Sequence, residues 1–175
     1  MISDFNLIAT TSRGNERPMS NELLYLLKDE LGDSEAKTSK TKIRGLIVAK
    51  TTLNPFEVIE KFRSILRERP YEFRFALRIL PVERVISTDL EEIKKATLEL
   101  VARIGEGESF RVTVEKRFTT LHSKDIVEAV ASEIKQKANL ENPDRIVLVE
   151  VLGALTGISL LKPSDILSVL KEKML

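Results

Sequence analysis

The chain has 175 residues, with 28 basic and 27 acidic side chains, a net charge of +1 and 42% hydrophobic residues. This size is sufficient for one compact domain or two small ones, and the near-neutral charge by itself indicates no class of partner. The absence of cysteine excludes disulfides, thiolate metal ligands and a cysteine nucleophile. No apolar run approaches the roughly 18 residues of a membrane-spanning helix. A secretory signal is not predicted, because the N-terminus contains Asp4 and lacks the basic segment with which such signals begin. We therefore expect a cytoplasmic protein with no membrane partner.

The first half of the chain predicts the element order β-α-β-β-α-β over residues 4–82. Asn54 and Pro55 form the clearest helix start, because a capping side chain precedes a proline at the first helical position. The predicted elements are a strand at 5–10, a loop at 14–18, a helix from a Ser20 cap to Gly32, strands at 36–39 and 44–50, a helix from Asn54 to Arg69, and a strand at 72–80. This order is that of a ferredoxin-like fold, which we assign to an N-terminal domain at residues 1–84.

The second half, residues 85–175, predicts another small domain of helices and strands, so the fold class is mixed α+β. Its expected order is αβαββ followed by a closing helix. The predicted elements are a helix from a Thr88 cap to Gly105, a strand from Phe110, a helix capped by Ser123, strands at 147–152 and 155–161 joined at Gly153, and a helix at 164–173.

Candidate catalytic groups are few. His122, Ser123 and Asp125 include the side-chain types of a hydrolase triad, but they are almost consecutive, whereas a triad converges from separate elements. We therefore interpret Ser123 as a helix cap and Asp125 as a first-turn carboxylate. A phosphate loop is not predicted at Gly105-Glu106-Gly107, and a single histidine leaves only carboxylate metal sites. We expect no catalytic residues, no metal and no cofactor.

Basic residues are concentrated in two segments. Residues 36–54 contain no acidic residue, and residues 109–124 contain only Glu115. The cations are Lys37, Lys40, Lys42, Arg44 and Lys50 in the first segment and Arg111, Lys116, Arg117 and Lys124, with His122, in the second. One such run is usually a solvated face, but two in one chain favour a surface for a polyanion. Phosphate contacts of this kind predict an affinity that falls with salt concentration.

Two other functions fit the same element order. An RNA-recognition motif stacks bases on sheet aromatics, but Phe73 and Phe75 alternate in phase with Leu77 and Ile79, which indicates core positions. Aromatic residues make up 5% of the chain and tryptophan is absent, so contacts to the RNA backbone are favoured over stacking. A small-molecule enzyme on a ferredoxin-like fold requires a polar constellation that the sequence does not offer.

Residues 110–161 resemble a THUMP domain, the RNA-binding module of several tRNA-modifying enzymes. The order and spacing of four short motifs carry the resemblance. They are Phe110, Val112 and Val114 leading to Arg117; His122-Ser123-x-Asp125-Ile126; Leu140-x-Asn142-Pro143-Asp144; and Val147-x-Val149-Glu150-Val151. The resemblance implies that residues 85–175 are a THUMP-like RNA-binding domain. The first half of the chain fits the ferredoxin-like domain that accompanies THUMP in this family.

The resemblance implies recognition of the acceptor stem and 3′ end of tRNA on behalf of a separate catalytic domain. The short chain is similar to the adaptors that help an acetyltransferase make N4-acetylcytidine in tRNA. Their Lys-Lys-Arg tripeptide aligns with Glu115-Lys116-Arg117, which carries over the second and third cations. We predict RNA contacts from this pair and from Arg111, His122, Lys124, Lys162, Lys37, Lys40, Lys42 and Arg44. The alternative is a specificity subunit of a split thiouridine synthase or methyltransferase.

Overall fold

A computed structural model describes residues Met1–Leu175, which form two compact units. The first unit contains residues 1–82 and 165–175, and the second contains residues 83–164. The boundary near residue 83 lies close to the one predicted from the sequence, but the domain predicted at 85–175 extends too far. The last eleven residues of that predicted domain, 165–175, pack with the first unit. No helix has the length and apolar character needed to cross a membrane.

The first unit has the predicted ferredoxin-like topology. Its elements are β1 (Leu7–Thr10), α1 (Glu16–Tyr25, continued by a π-helical turn at Leu26–Glu30), β2 (Lys37–Lys40), β3 (Leu46–Lys50), α2 (Pro55–Glu68) and β4 (Arg78–Pro81). The strands lie in the order β2-β3-β1-β4, and each neighbouring pair is antiparallel. Helices and sheet enclose an apolar core in which Phe62 and Phe73 meet edge to face, with ring centroids 5.9 Å apart.

Helix α2 begins and ends where its local sequence predicts. The Asn54 side chain accepts hydrogen bonds from the Phe56 and Glu57 N–H groups, at 2.9 and 3.4 Å, with Pro55 at the first helical position. The helix ends at Glu68 because Pro70 disfavours helical backbone at Arg69. Helix α1 differs from its prediction: it begins at Glu16, within the predicted loop, and Ser20 hydrogen-bonds Thr38 instead of capping.

The predicted strand at 72–80 is wrong over most of its length. A 3-10 turn occupies Pro70–Glu72, and only Arg78–Pro81 pairs with β1. The Glu22 carboxylate of α1 accepts hydrogen bonds from the N–H groups of Arg74, Phe75 and Ala76, at 2.6, 3.1 and 2.8 Å. A side chain distant in sequence therefore satisfies the donors that a strand would have given to a neighbour.

The C-terminal residues complete the first sheet. Strand β9 (Leu167–Ser168) pairs antiparallel with β4, which extends the order to β2-β3-β1-β4-β9. Helix α5 (Val169–Lys173) follows, and Glu172 forms an ion pair with the Arg63 Nε of α2 at 3.0 Å. The predicted long helix at 164–173 is thus a 3-10 turn (Pro163–Asp165), a strand and one short helix. This segment joins the first unit because the outer edge of β4 accepts β9, which also brings Leu167 and Val169 into the first core.

The second unit contains the predicted αβαββ order, preceded by one further strand. Its elements are β5 (Arg84–Ser87), α3 (Leu90–Val101), β6 (Phe110–Arg117), α4 (Ser123–Ala131), β7 (Arg145–Leu152) and β8 (Leu155–Leu161). The sheet order is β5-β8-β7-β6, with β6 parallel to β7. Two predicted caps are wrong by one residue: Asp89, not Thr88, caps α3, and Ser123 is the first residue of α4.

Candidate nucleic-acid interface

The predicted RNA-binding residues of the second unit are centred on the end of β6, an edge strand of the sheet. Side chains alternate between the faces of a strand, so Phe110, Val112 and Val114 face the core with α3 and α4. Lys116 continues this face and Arg117 lies on the opposite one. The two cations carried over from the THUMP resemblance are neighbours in sequence but project to different sides of the sheet.

Lys116 is exposed and anchored at the end of β6. Its Nζ donates a hydrogen bond to the backbone carbonyl of Leu121 at 3.0 Å, which joins the strand to the loop at 118–122. An ammonium has three N–H groups, so this bond leaves donors for an anion. Lys116 therefore combines a fixed position with the capacity to bind phosphate.

Arg117 has an internal partner that the sequence does not reveal. Its guanidinium forms an ion pair with Glu150 of β7, whose side chain is 1% exposed, while that of Arg117 is 24% exposed. In the parallel register Glu150 lies opposite Glu115, so Arg117 is its diagonal neighbour on the same face. Compensation of this buried carboxylate is sufficient to explain the positive charge at Arg117, whose contact with RNA stays a prediction.

The start of α4 presents backbone donors beside these cations. His122 occupies the N-cap position and is exposed, and no side chain hydrogen-bonds the first turn. Uncapped N–H groups and the helix dipole favour an anion at this end. Lys124 adds a charge that is 83% exposed, with only a distant contact to Glu128 at 4.0 Å. No hydrogen bond joins His122, Ser123 and Asp125, so their arrangement is not that of a nucleophile and its base.

The loop between β6 and α4 contains a residue that sequence reasoning missed. Phe118 is 71% exposed and has a positive φ of 55°, the only residue other than glycine in this region of backbone space. The turn between β7 and β8 is joined to the preceding residue, because the Gly153 N–H donates to the Arg117 carbonyl at 2.9 Å. Its sequence signal was an aromatic residue directly after Lys116 and Arg117, but an isolated phenylalanine is ordinarily interpreted as core.

The remaining predicted residues of this unit have separate surroundings. Arg111 donates from Nε to the Thr113 hydroxyl at 3.1 Å and from its guanidinium to the Leu140 carbonyl at 3.0 Å, which holds the loop before β7. Lys162 is exposed directly after β8. Arg111 lies near the start of β6 and Lys162 follows a different strand, so the compact part of the site is the loop between β6 and α4.

The predicted residues of the first unit form a second basic group. Lys37 and Lys40 are exposed on the edge strand β2, and Lys42 and Arg44 are exposed in the turn to β3. A cavity of about 170 Å³ beside this turn is lined by Glu16, Lys40, Thr41, Lys42, Ile43, Arg44 and Leu46.

A carboxylate reduces the positive character of this turn. Glu16 accepts a hydrogen bond from the Gly45 N–H at 2.8 Å, and hydrogen bonds from its own N–H and that of Gly45 lower its pKa. The carboxylate is therefore ionised beside Lys40, Lys42 and Arg44. The sequence prediction considered only residues 36–54, which contain no acidic residue. It therefore missed Glu16, which α1 brings beside this turn.

The residues of the chain form no group of three potential metal ligands. The donors assembled at the loop between β6 and α4 are instead an ammonium, a guanidinium and backbone N–H groups. All of these bind anionic oxygen, and phosphate is the anion with which such sites are most often associated.

The sequence matches the THUMP domain family over residues 87–161. The second unit therefore is a THUMP domain. The match begins at the end of β5 and stops at the last residue of β8, so it contains the loop between β6 and α4 and every cation described around it.

Other proteins are similar to a larger part of the chain than the THUMP match covers. The uncharacterized protein MJ1257 of Methanocaldococcus jannaschii is 30% identical over 129 residues, which cover 72% of this chain and 34% of that protein. The crystal structure of PH1313 from Pyrococcus horikoshii covers 91% of this chain and 54% of its own, at 19% identity and a TM-score of 0.64. TrmN from Thermus thermophilus covers 92% of this chain and 47% of its own, at 18% identity and a TM-score of 0.63.

A third structure, a 4-thiouridine synthetase–RNA complex with bound ATP, has a TM-score of 0.55 and 15% identity, and covers 91% of this chain and 42% of its own. At these identities the solved structures establish the fold. The chain spans about a third of the curated relative and about half of the solved structures that it matches. Each of the three solved structures thus contains a fold similar to most of this chain within a longer protein.

Proposed function

We propose that this protein is a tRNA-binding adaptor: the THUMP domain holds the acceptor stem and 3′ end of a tRNA and presents it to a separate modification enzyme. The observation that carries the proposal is the THUMP match over the segment in which Lys116, Lys124 and the uncapped start of α4 are gathered. The chain itself has no catalytic role in this proposal. The exposed cations of β2 and its turn provide a second contact with the stem in this proposal.

Binding is tested by fluorescence anisotropy with three RNAs: intact tRNA, tRNA lacking its 3′ terminus, and a hairpin of equal length. We expect the intact tRNA to bind most tightly, and the logarithm of its affinity to fall linearly with the logarithm of the salt concentration. Lys116→Ala should weaken binding and reduce that slope by about one. The matched control is Lys95→Ala, which removes an exposed lysine of α3 in the same unit. Equal slopes for the two variants would exclude Lys116 from the site.

The enzyme served by this adaptor is, in our proposal, the acetyltransferase that makes N4-acetylcytidine. A rival partner is a thiouridine synthase or methyltransferase, and the fold shared with a 4-thiouridine synthetase favours the first of these. Deletion of the gene followed by mass spectrometry of tRNA nucleosides separates the two. Loss of N4-acetylcytidine supports the acetyltransferase, whereas selective loss of a thiolated or methylated nucleoside identifies the rival. Modification of tRNA by the purified protein alone would contradict a non-catalytic role.

A further inference from the structure

Phe118 is an aromatic side chain that the fold of the second unit leaves in water. Its exposed fraction is 71%, compared with 66% for Tyr71 and 37% for Tyr25, and no other phenylalanine is among the exposed large hydrophobic residues. Burial of such a ring is strongly favourable. A ring held outside the core is therefore a candidate for contact with a partner.

The backbone keeps this ring in place. A φ of 55° is disfavoured for any residue with a Cβ atom, and Phe118 is the only such case in the chain. Hydrogen bonds hold the chain on both sides of Phe118. The Gly153 N–H donates to the Arg117 carbonyl at 2.9 Å, and the Lys116 ammonium donates to the Leu121 carbonyl at 3.0 Å. These bonds hold the backbone around Phe118, whose ring is exposed.

The surroundings of Phe118 favour a nucleic acid over an apolar protein surface. Residues 116–124 contain Lys116, Arg117 and Lys124, one histidine and no carboxylate. The uncapped start of α4 lies five residues after Phe118. Proteins that bind single-stranded nucleic acid combine cations that follow the backbone with aromatic rings on which bases stack.

We propose that Phe118 stacks on an unpaired base of the RNA held at the loop between β6 and α4. This inference rests on the proposed function, and adds to it that recognition includes a single-stranded nucleotide and is not limited to phosphates. Stacking is indifferent to base identity because every base has an aromatic face. The ring would thus report the presence of an unpaired end, and the cations would supply salt-dependent affinity.

The test compares two hairpin RNAs with the same stem, one blunt and one with a single-stranded 3′ extension. We expect Phe118→Ala to weaken binding of the extended RNA by about 5- to 150-fold, the range for loss of one stacked base, with the blunt RNA and the salt slope unchanged. Phe118→Tyr should retain the preference for the extended RNA, and Phe118→Leu should lose it because bulk remains without an aromatic face. Tyr71→Ala removes a ring of similar exposure in the other unit and is the matched control.

A 2-aminopurine in the extension gives an independent readout, since its fluorescence is quenched on stacking. We expect quenching by the wild type and by Phe118→Tyr, and none by Phe118→Ala or Phe118→Leu. Circular dichroism and a thermal melt establish that each variant is folded. If Phe118→Ala does not fold, the comparison between the tyrosine and leucine variants decides the question.

The possible outcomes separate this inference from the proposed function. Equal binding of the extended RNA by wild type and Phe118→Ala would refute stacking and leave the tRNA adaptor intact. Equal weakening of both RNAs would also refute it, because the blunt RNA has no unpaired base. If Phe118→Ala lost only its association with the modification enzyme, the ring would be a protein-docking residue. Failure of the wild type to bind intact tRNA would overturn the proposed function itself.

Discussion

Lys116 and Arg117 are adjacent, and substitution of each should have a different effect. Arg117→Ala removes a partner of the Glu150 carboxylate, which is 1% exposed, and should lower the free energy of unfolding of the THUMP domain. A hydrogen bond to a charged group contributes about 1.5–3 kcal/mol. Because the Arg117 side chain is itself 24% exposed, we expect about 2 kcal/mol. Lys116→Ala alters an exposed side chain and should change stability by at most about 0.5 kcal/mol.

Chemical denaturation of both variants, followed by circular dichroism, measures the difference. Arg117→Lys keeps the charge but loses the planar fork of donors, so its stability should lie between those of wild type and Arg117→Ala. The same proteins are then titrated with tRNA under conditions in which all are folded. An Arg117→Ala variant as stable as the wild type would refute a structural role for the ion pair. A loss of affinity in Arg117→Lys matching that in Lys116→Ala would show that both cations contact RNA.

Three further predictions concern the ferredoxin-like unit, each measured by denaturant unfolding. Glu22→Ala deprives the N–H groups of residues 74–76 of their acceptor and should cost about 2–3 kcal/mol; no loss would mean that water replaces the carboxylate. Asp33 is buried and accepts from the Thr51 hydroxyl at 2.5 Å, so Asp33→Ala should cost about 1–3 kcal/mol, against no change for the exposed control Ser34→Ala. Arg69, followed by Tyr25, lowers the pKa of Glu30 to about 2. A lowered pKa stabilises the fold above the ordinary value of 4.5, so the advantage of wild type over Glu30→Gln should decline below pH 4.5 and be lost as pH falls through about 2. An advantage that does not decline over this range would contradict the role of the ion pair.

The elements predicted correctly from the sequence are those determined by local interactions. Asn54 and Pro55 fix the start of α2 whatever the surrounding fold, and the apolar strands β7 and β8 flank a glycine with a φ of 69°. The alternation of Phe110, Val112 and Val114 likewise identified β6 and its buried face. These signals were sufficient for the ferredoxin-like order and for the THUMP resemblance.

The errors lie where residues distant in sequence meet. Glu22 binds the backbone at 74–76, so an alternating pattern there did not become a strand. The ion pair between Arg117 and Glu150 depends on the parallel register of β6 and β7, which a single sequence does not reveal. The backbone before Phe118 is held by a hydrogen bond from Gly153, which lies in the distant turn between β7 and β8. The candidate site was located by its charges, but its geometry was not predictable.

The return of β9 to β4 means that the chain is nested: residues 83–164 interrupt a sheet that resumes at 167. A gene fragment encoding 83–164 retains every strand of the THUMP domain. Truncation after residue 82 instead removes the outer strand β9 from the ferredoxin-like unit. Isolation of the ferredoxin-like unit therefore requires splicing 1–82 to 165–175 through a short linker. The same arrangement means that loss or exchange of the inserted segment would leave an intact five-stranded sheet behind.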